Sequence, residues 1–142
     1  MLPGYFSRHI KPFLFEGLDV YLLVFINGKY NKALSSKDEL SKNITVQEIA
    51  AGLQEDGLTK ATTSGYLNKW ASETNNSFMV LNTAFAQNGI YIHVPDGLVV
   101  DRPLHLLNIA HADKAPIVIS PQKIIVSGAN SKVTVIETYQ QF

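Results

Sequence analysis

Residues 78–110 read FMVLNTAFAQNGIYIHVPDGLVVDRPLHLLNIA. This stretch decides the fold. Phe78, Leu81, Ala84 and Phe85 fall on one face at helical spacing, which predicts a short helix from about Ser77. Asn88-Gly89 is a helix stop, because glycine enters the left-handed conformation without steric cost. After Gly89 the pattern changes to short β-branched and aliphatic runs. Ile90–Val94, Leu98–Val100 and Leu104–Ala110 read as strands, parted by Pro95-Asp96-Gly97 and Arg102-Pro103. The stretch carries no catalytic motif and points to stacked strands.

Downstream the same rhythm continues. Ile117–Ser120, Ile124–Ser127 and Lys132–Tyr139 are expected strands, separated by Pro121 and by Gly128-Ala129-Asn130. Many short strands with regular turn signals predict a sandwich, a barrel or a β-solenoid. No strict residue-level repeat chooses among them. The last strand runs nearly to the terminus with no feature that protects an edge. A truncated chain, or a second subunit over this end, is the expectation, with self-association of the exposed rung as a consequence.

Upstream, the longest apolar run is Val20–Ile26 (VYLLVFI), and it meets Asn27-Gly28. Asn-Gly is a strong hairpin signal, since both turn residues of a type I′ turn need positive φ. Lys29, Tyr30 and Asn31 start the return strand. The polar run Ser35–Asn43 reads as a solvated loop. Thr45 and Glu48 form the pattern of a capping box, with Val46, Ile49, Ala50 and Leu53 on one helical face and Gly57 as the end. A second helix is expected over Ser64–Ala71, with Tyr66, Leu67, Trp70 and Ala71 inward. The expected organisation is one structural unit: a small α/β region over residues 1–76, then the first all-β rungs over residues 77–142.

Composition narrows the function. The 142 residues are 46% hydrophobic, enough for a packed core. Twelve basic and twelve acidic side chains cancel, so there is no electrostatic footprint for nucleic acid or for an anionic membrane. There is no cysteine, which removes disulfides, thiolate ligands and cysteine nucleophiles. The N-terminus lacks the three-part pattern of a signal peptide. Val20–Ile26 is far too short to cross a bilayer. A cytoplasmic protein is expected.

The histidines, His9, His93, His105 and His111, are the candidates for metal or acid–base chemistry. His93 and His105 lie in expected strands and could share a face, with Asp96 and Asp101 in the turns between them. That set would suit iron, zinc or manganese in a cupin-like metal-dependent enzyme or a small-ligand-binding β domain. Against it, each histidine stands alone in its strand, with no His-x-His pair. No Gly-x-Ser-x-Gly elbow and no Gly-Lys-Ser/Thr phosphate loop occurs. The adjacent carboxylates Asp38-Glu39 and Glu55-Asp56 fall in polar stretches and read as solvated. Acidic clusters on the strands, needed for two-carboxylate sugar chemistry, are absent. Trp70, Tyr66, Phe78 and Phe85 read as core. No catalytic, cofactor-binding or metal-ligating residue is assigned, and no cofactor is expected.

The same central stretch resembles the SufB/SufD family, scaffold components of the SUF iron–sulfur cluster assembly system, and within it SufD. The resemblance rests on Leu81-Asn82-Thr83-Ala84-Phe85, Gly89, Ile92-His93-Val94-Pro95, Gly97, Val99-Val100 and Pro103-Leu104-His105-Leu106-Leu107. Val24-Phe25-Ile26-Asn27-Gly28 and Val133–Tyr139 support it. It implies a right-handed parallel β-helix behind a small α/β region. It also implies a non-enzymatic scaffold that works with a SufB-like partner and the SUF ATPase, through regions mostly outside these residues. The N-terminal helical segment, most rungs and the ATPase-docking helical domain of the family are not matched. Asp96 stands where lysine is common, and Ala110–Ser120 departs from the usual loop, so no family site is carried over. Strands stacked with Ile, Leu and Val inward are the expected interior.

Overall fold

A computed structural model describes residues 10–36, 40, 44–49, 51, 65, 69, 89–112, 118–119 and 121–141. After a single 3₁₀ turn at Lys11–Phe13 the described elements are strands: β1 (Tyr21–Ile26), β2 (Lys29–Tyr30), β3 (Thr45–Glu48), β4 (Gly89–Val94), β5 (Leu104–Ala110), β6 (Gln122–Ser127) and β7 (Val135–Gln141). They form two sheets. One has the order β2-β1-β5-β7, the other β3-β4-β6.

The pairing β1–β5–β7 is parallel throughout, as is β4–β6. β2 and β3 are antiparallel additions at the far side of each sheet. The chain therefore passes from β4 to β5 and then from β6 to β7, laying each strand on its predecessor in the same sheet. The corner between the sheets repeats as well. Gly97 and Asn130 both take positive φ (71° and 56°), and Val99 forms a parallel bridge with Lys132. The same sequence offset separates Gly89 from Gln122, Gly97 from Asn130 and Val99 from Lys132. Asp96 Oδ1 accepts the Ala129 N–H at 2.8 Å, and the Gly97 N–H donates to Ala129 O at 2.8 Å. A Cβ on Gly128 would run into Asp96 and the Pro95 backbone, so one corner sits directly on the other.

The core lies between the sheets. Tyr21, Leu23 and Phe25 of β1 and Leu104 and Leu106 of β5 face Ile90, Ile92 and Val94 of β4. Each of these aliphatic side chains contributes about 1.5–3 kcal/mol by leaving water. The opposite face of β1 and β5 is covered too. Val24, Leu107 and Ile109 pack with Ile10, and Leu22 and Ile26 add to this second cluster. Burial on both faces explains why Val20–Ile26 reads as an unbroken apolar run rather than an alternating one.

The hairpin forms as expected. Asn27 (φ 51°) and Gly28 (φ 80°) both occupy the left-handed region. The Asn27 amide then extends the ladder, donating to His111 O at 2.9 Å and accepting the His111 N–H at 2.8 Å.

Four local expectations are corrected. Thr45 and Glu48 do not form a capping box. They are strand residues in β3, paired antiparallel with His93 and Ile90, and the described helical residues begin at Ile49. Pairing with β4 outweighs the local cap. Gly89 is not a left-handed stop but the first residue of β4. A Cβ there would lie 2.5 Å from Gln122 O and 2.6 Å from Ile49 Cδ1, so glycine is needed for close approach. The stretch Ser35–Asn43 is not simply solvated. Ser35 and Leu40 are buried, and the Ser35 and Ser36 hydroxyls accept the Val24 and Leu22 N–H groups at 2.9 and 3.0 Å. These two serines complete the edge of β1 where the two-residue β2 ends. Finally, Val118 and Ile119 are not in a strand, and Leu98–Val100 is reduced to one bridge.

Gly65 and Lys69 are helical, in line with the helix expected over 64–71. Tyr66, Leu67, Trp70, Ala71 and the helix from Ser77 lie outside the described residues. No helix among the described residues is long and apolar enough to cross a membrane.

Candidate functional site

The two strand histidines do not meet. His93 belongs to β4 and alternates with the inward Ile92 and Val94, so it points to the outer face of its sheet, stacked on Tyr91 (centroids 6.4 Å, interplanar 7°). His105 belongs to β5 and alternates with Leu104 and Leu106, which places it on the outer face of the other sheet. The whole core separates them. His105 is fully buried, with Nε2 2.8 Å from Thr138 Oγ1 and the Phe15 ring against it at 5.0 Å. Burial lowers its pKa below the ordinary histidine value. Asp96 binds the Ala129 amide, and Asp101 accepts the Tyr21 hydroxyl at 3.0 Å and flanks Arg102. Both carboxylates hold corners. Among the described residues no group of three or more His, Asp or Glu side chains is placed to hold a metal ion. The expected His93–His105 face is therefore corrected, and with it the cupin-like reading. His9 lies outside the described residues.

The structure instead brings together residues that the sequence reading had not joined. The interior of β1, β4 and β5 is aliphatic and aromatic, but the layer added by β6 and β7 is polar. Register sets this: Lys123 lies beside the inward Ile90, Glu137 beside Leu106 and Tyr139 beside Asn108. Lys123 Nζ sits 2.5 Å from Glu137 Oε1. It also lies over the Phe25 and Tyr139 rings, at 5.5 and 5.4 Å from their centroids. Tyr139 donates its hydroxyl to Glu137 Oε1 at 2.8 Å, and Asn108 Nδ2 donates to the same oxygen at 3.4 Å and to Thr138 O at 3.1 Å.

The electrostatics follow from these contacts. Burial alone would raise the Glu137 pKa, but the hydrogen bonds from Lys123, Tyr139 and Asn108 and the Lys123 charge outweigh it and hold the carboxyl below its ordinary value. Partial burial, the hydrogen bond to Glu137 and its charge push the Tyr139 phenol up to about 12. Both groups are held away from neutrality in their ordinary ionic states, so the cluster is organised for recognition and packing rather than proton transfer. A cavity of about 350 Å³, lined in part by Asn108, Ala110, Pro121, Tyr139 and Gln141, opens beside it.

The expectation of Ile, Leu and Val inward thus holds for β4 and β5 and fails for β6 and β7. The signal was present in the chain. Lys123 and Ile125 alternate in one strand, and Val135, Glu137 and Tyr139 in the other. Which face points inward is set by pairing with β4 and β5.

Comparison with known proteins adds a further finding. A family model described as the SufBD protein N-terminal region matches residues 15–106. An iron–sulfur cluster assembly SufBD family protein of Synechocystis sp. is 32% identical over 120 residues. The match takes in 82% of this chain and 25% of that protein, so the chain spans about a quarter of the length of its relative.

Proposed function

The chain belongs to the SufBD family, and from that premise we propose that it serves iron–sulfur cluster assembly as a non-catalytic, SufD-like scaffold in the cytoplasm. On this reading β4 and β5, then β6 and β7, are the first rungs of a right-handed parallel β-helix. The small region around β1 to β3 leads into them. The whole protein would work with a SufB-like scaffold and the SUF ATPase, mostly through regions outside these residues. No bound cofactor is assigned to this part of the protein.

The observation that carries the reading is the family match over a region that includes β1, β4 and most of the inward residues of the core. The parallel ladders support the solenoid, because a constant offset at two strands and a corner is how rungs stack when each relies on its neighbours for burial. The proton-saturated Tyr139 and ionised Glu137 suit a packed polar layer better than an acid–base pair.

The test is affinity capture from lysate of cells that carry a SUF system, with this chain and the Synechocystis relative as parallel baits. Mass spectrometry should recover a SufB-like protein and the SUF ATPase on the longer relative. Recovery on this chain as well would place a contact within these residues. Neither protein on either bait, under conditions where both baits are folded, would overturn the reading.

A further inference from the structure

The β7 edge carries an arrangement that fits a second copy of this chain. Leu104 donates its N–H to Thr134 O at 2.8 Å, and this sets the phase of the β5–β7 ladder. Ile136, Thr138 and Gln140 turn their backbone groups to β5. The N–H and C=O of Val135, Glu137, Tyr139 and Gln141 point the other way, and among the described residues no strand pairs with them. β7 is seven residues long, and VIETYQQ contains no proline and no lysine, the usual devices that blunt an edge. Its one charge, Glu137, is already neutralised by Lys123. Val135 (37% exposed), Tyr139 (65%) and, on β6, Ile125 (38%) present apolar surface at the same end.

The opposite edge of this sheet is closed. β2 pairs with the end of β1, and Ser35 and Ser36 take the remaining N–H groups. The sheet therefore offers one open edge, and a self-pairing edge gives a closed pair rather than a fibre.

We propose that two copies associate through β7, antiparallel, about a twofold axis at Thr138. The strand itself selects this register. It alone uses all seven residues and matches the outward backbone groups of both copies: Val135 opposite Gln141 and Glu137 opposite Tyr139. Thr138 then faces Thr138 of the partner subunit as a non-hydrogen-bonded pair. A register centred on Glu137 would oppose two carboxylates, which costs stability. In the proposed register each Glu137 meets a tyrosine, the group that already donates to it within one copy at 2.8 Å. The joint is self-complementary in charge because each face carries both Lys123 and Glu137.

The experiment joins sedimentation velocity with disulfide trapping on the whole chain. The absence of native cysteine makes a single introduced thiol unambiguous. Wild type should shift from one copy to two across the micromolar range and go no further. Thr138→Cys should cross-link to a dimer under mild oxidation, since facing residues of a non-hydrogen-bonded pair, about 4.5 Å apart at Cα, lie within disulfide range. Val99→Cys, equally accessible but distant from β7, should not. Tyr139→Lys should keep the wild-type melting temperature and lose the dimer. A monomer at every concentration, growth beyond two copies, equal cross-linking at the two thiols, or a Tyr139→Lys dimer as strong as wild type would each overturn the proposal.

Discussion

Replacing Gly89 with alanine adds one methyl group at the place where β4 first meets β6. The added Cβ would stand 2.5 Å from Gln122 O and 3.2 Å from Gln122 C, with Ile49 Cδ1 at 2.6 Å. The isoleucine tip can rotate away. The Gln122 carbonyl cannot, because Gln122 is the register partner of Gly89 and the first residue of the β4–β6 ladder. Relief requires the two strands to part at that end. Overpacking of this kind costs about 1–3 kcal/mol. Alanine also narrows the unfolded ensemble, which returns about 0.4–1 kcal/mol. The net expectation is a loss of about 1–2 kcal/mol, or a fall in Tm of roughly 3–8 °C for a chain of this size. Gly65 is the internal control. It is helical and exposed, and a Cβ there meets nothing within 4 Å. Gly65→Ala should raise stability by up to about 1 kcal/mol through helix propensity. Urea unfolding followed by circular dichroism reads both variants. If Gly89→Ala matches or exceeds wild type while Gly65→Ala behaves as stated, the close approach of β4 and β6 does not limit that position and the reasoning fails.

Other perturbations test separate parts of the structure. Asn27→Ala loses both a residue tolerant of positive φ and the amide that clamps His111, so it should cost about 1–3 kcal/mol in urea unfolding; an unchanged midpoint would remove the clamp from the account. His105 is held neutral, with a folded pKa below 6.5. The unfolded chain therefore binds the proton more readily, and its contribution is complete above the unfolded pKa and declines as pH falls through that value toward the folded one. His105→Gln should flatten the stability profile over that interval, whatever it does to stability at neutral pH. Glu137 has the carboxylate form of the same linkage. Its folded pKa is lowered, so its contribution is present above the unfolded pKa and is lost as pH falls through the folded value, and Glu137→Gln should remove that acid-side slope. A double-mutant cycle of Lys123→Met and Glu137→Gln should give a coupling of about 1 kcal/mol that shrinks with salt, since the Glu137 side chain is 36% exposed; zero coupling at low salt would show that the pair is positional only.

What could be read directly from the residues was local or covalent in origin. Asn27-Gly28 specified its hairpin because few residue pairs tolerate two successive positive φ angles. The strands at 90–94, 104–110 and 124–127 were legible because β-branched runs bounded by glycine and proline have few other solutions. The SufBD pattern was legible because order and spacing of many residues identify a family more surely than one motif does. Local rules failed where a partner strand decided the outcome. Thr45 and Glu48 satisfy a helix cap in isolation, yet β4 offers them a full antiparallel ladder. Gly89 has the form of a helix stop, yet what demands glycine there is a carbonyl from Gln122, far along the chain. The polar layer had the same cause. Lys123 and Glu137 lie on different strands, and nothing between them in sequence says that they face each other. The sequence by itself determined that this protein would be built of short strands, turning at Asn27-Gly28, Gly97 and Asn130. Only tertiary structure decided which faces turned inward, because side-chain direction in a strand has a period of two and pairing register alone chooses between the two faces.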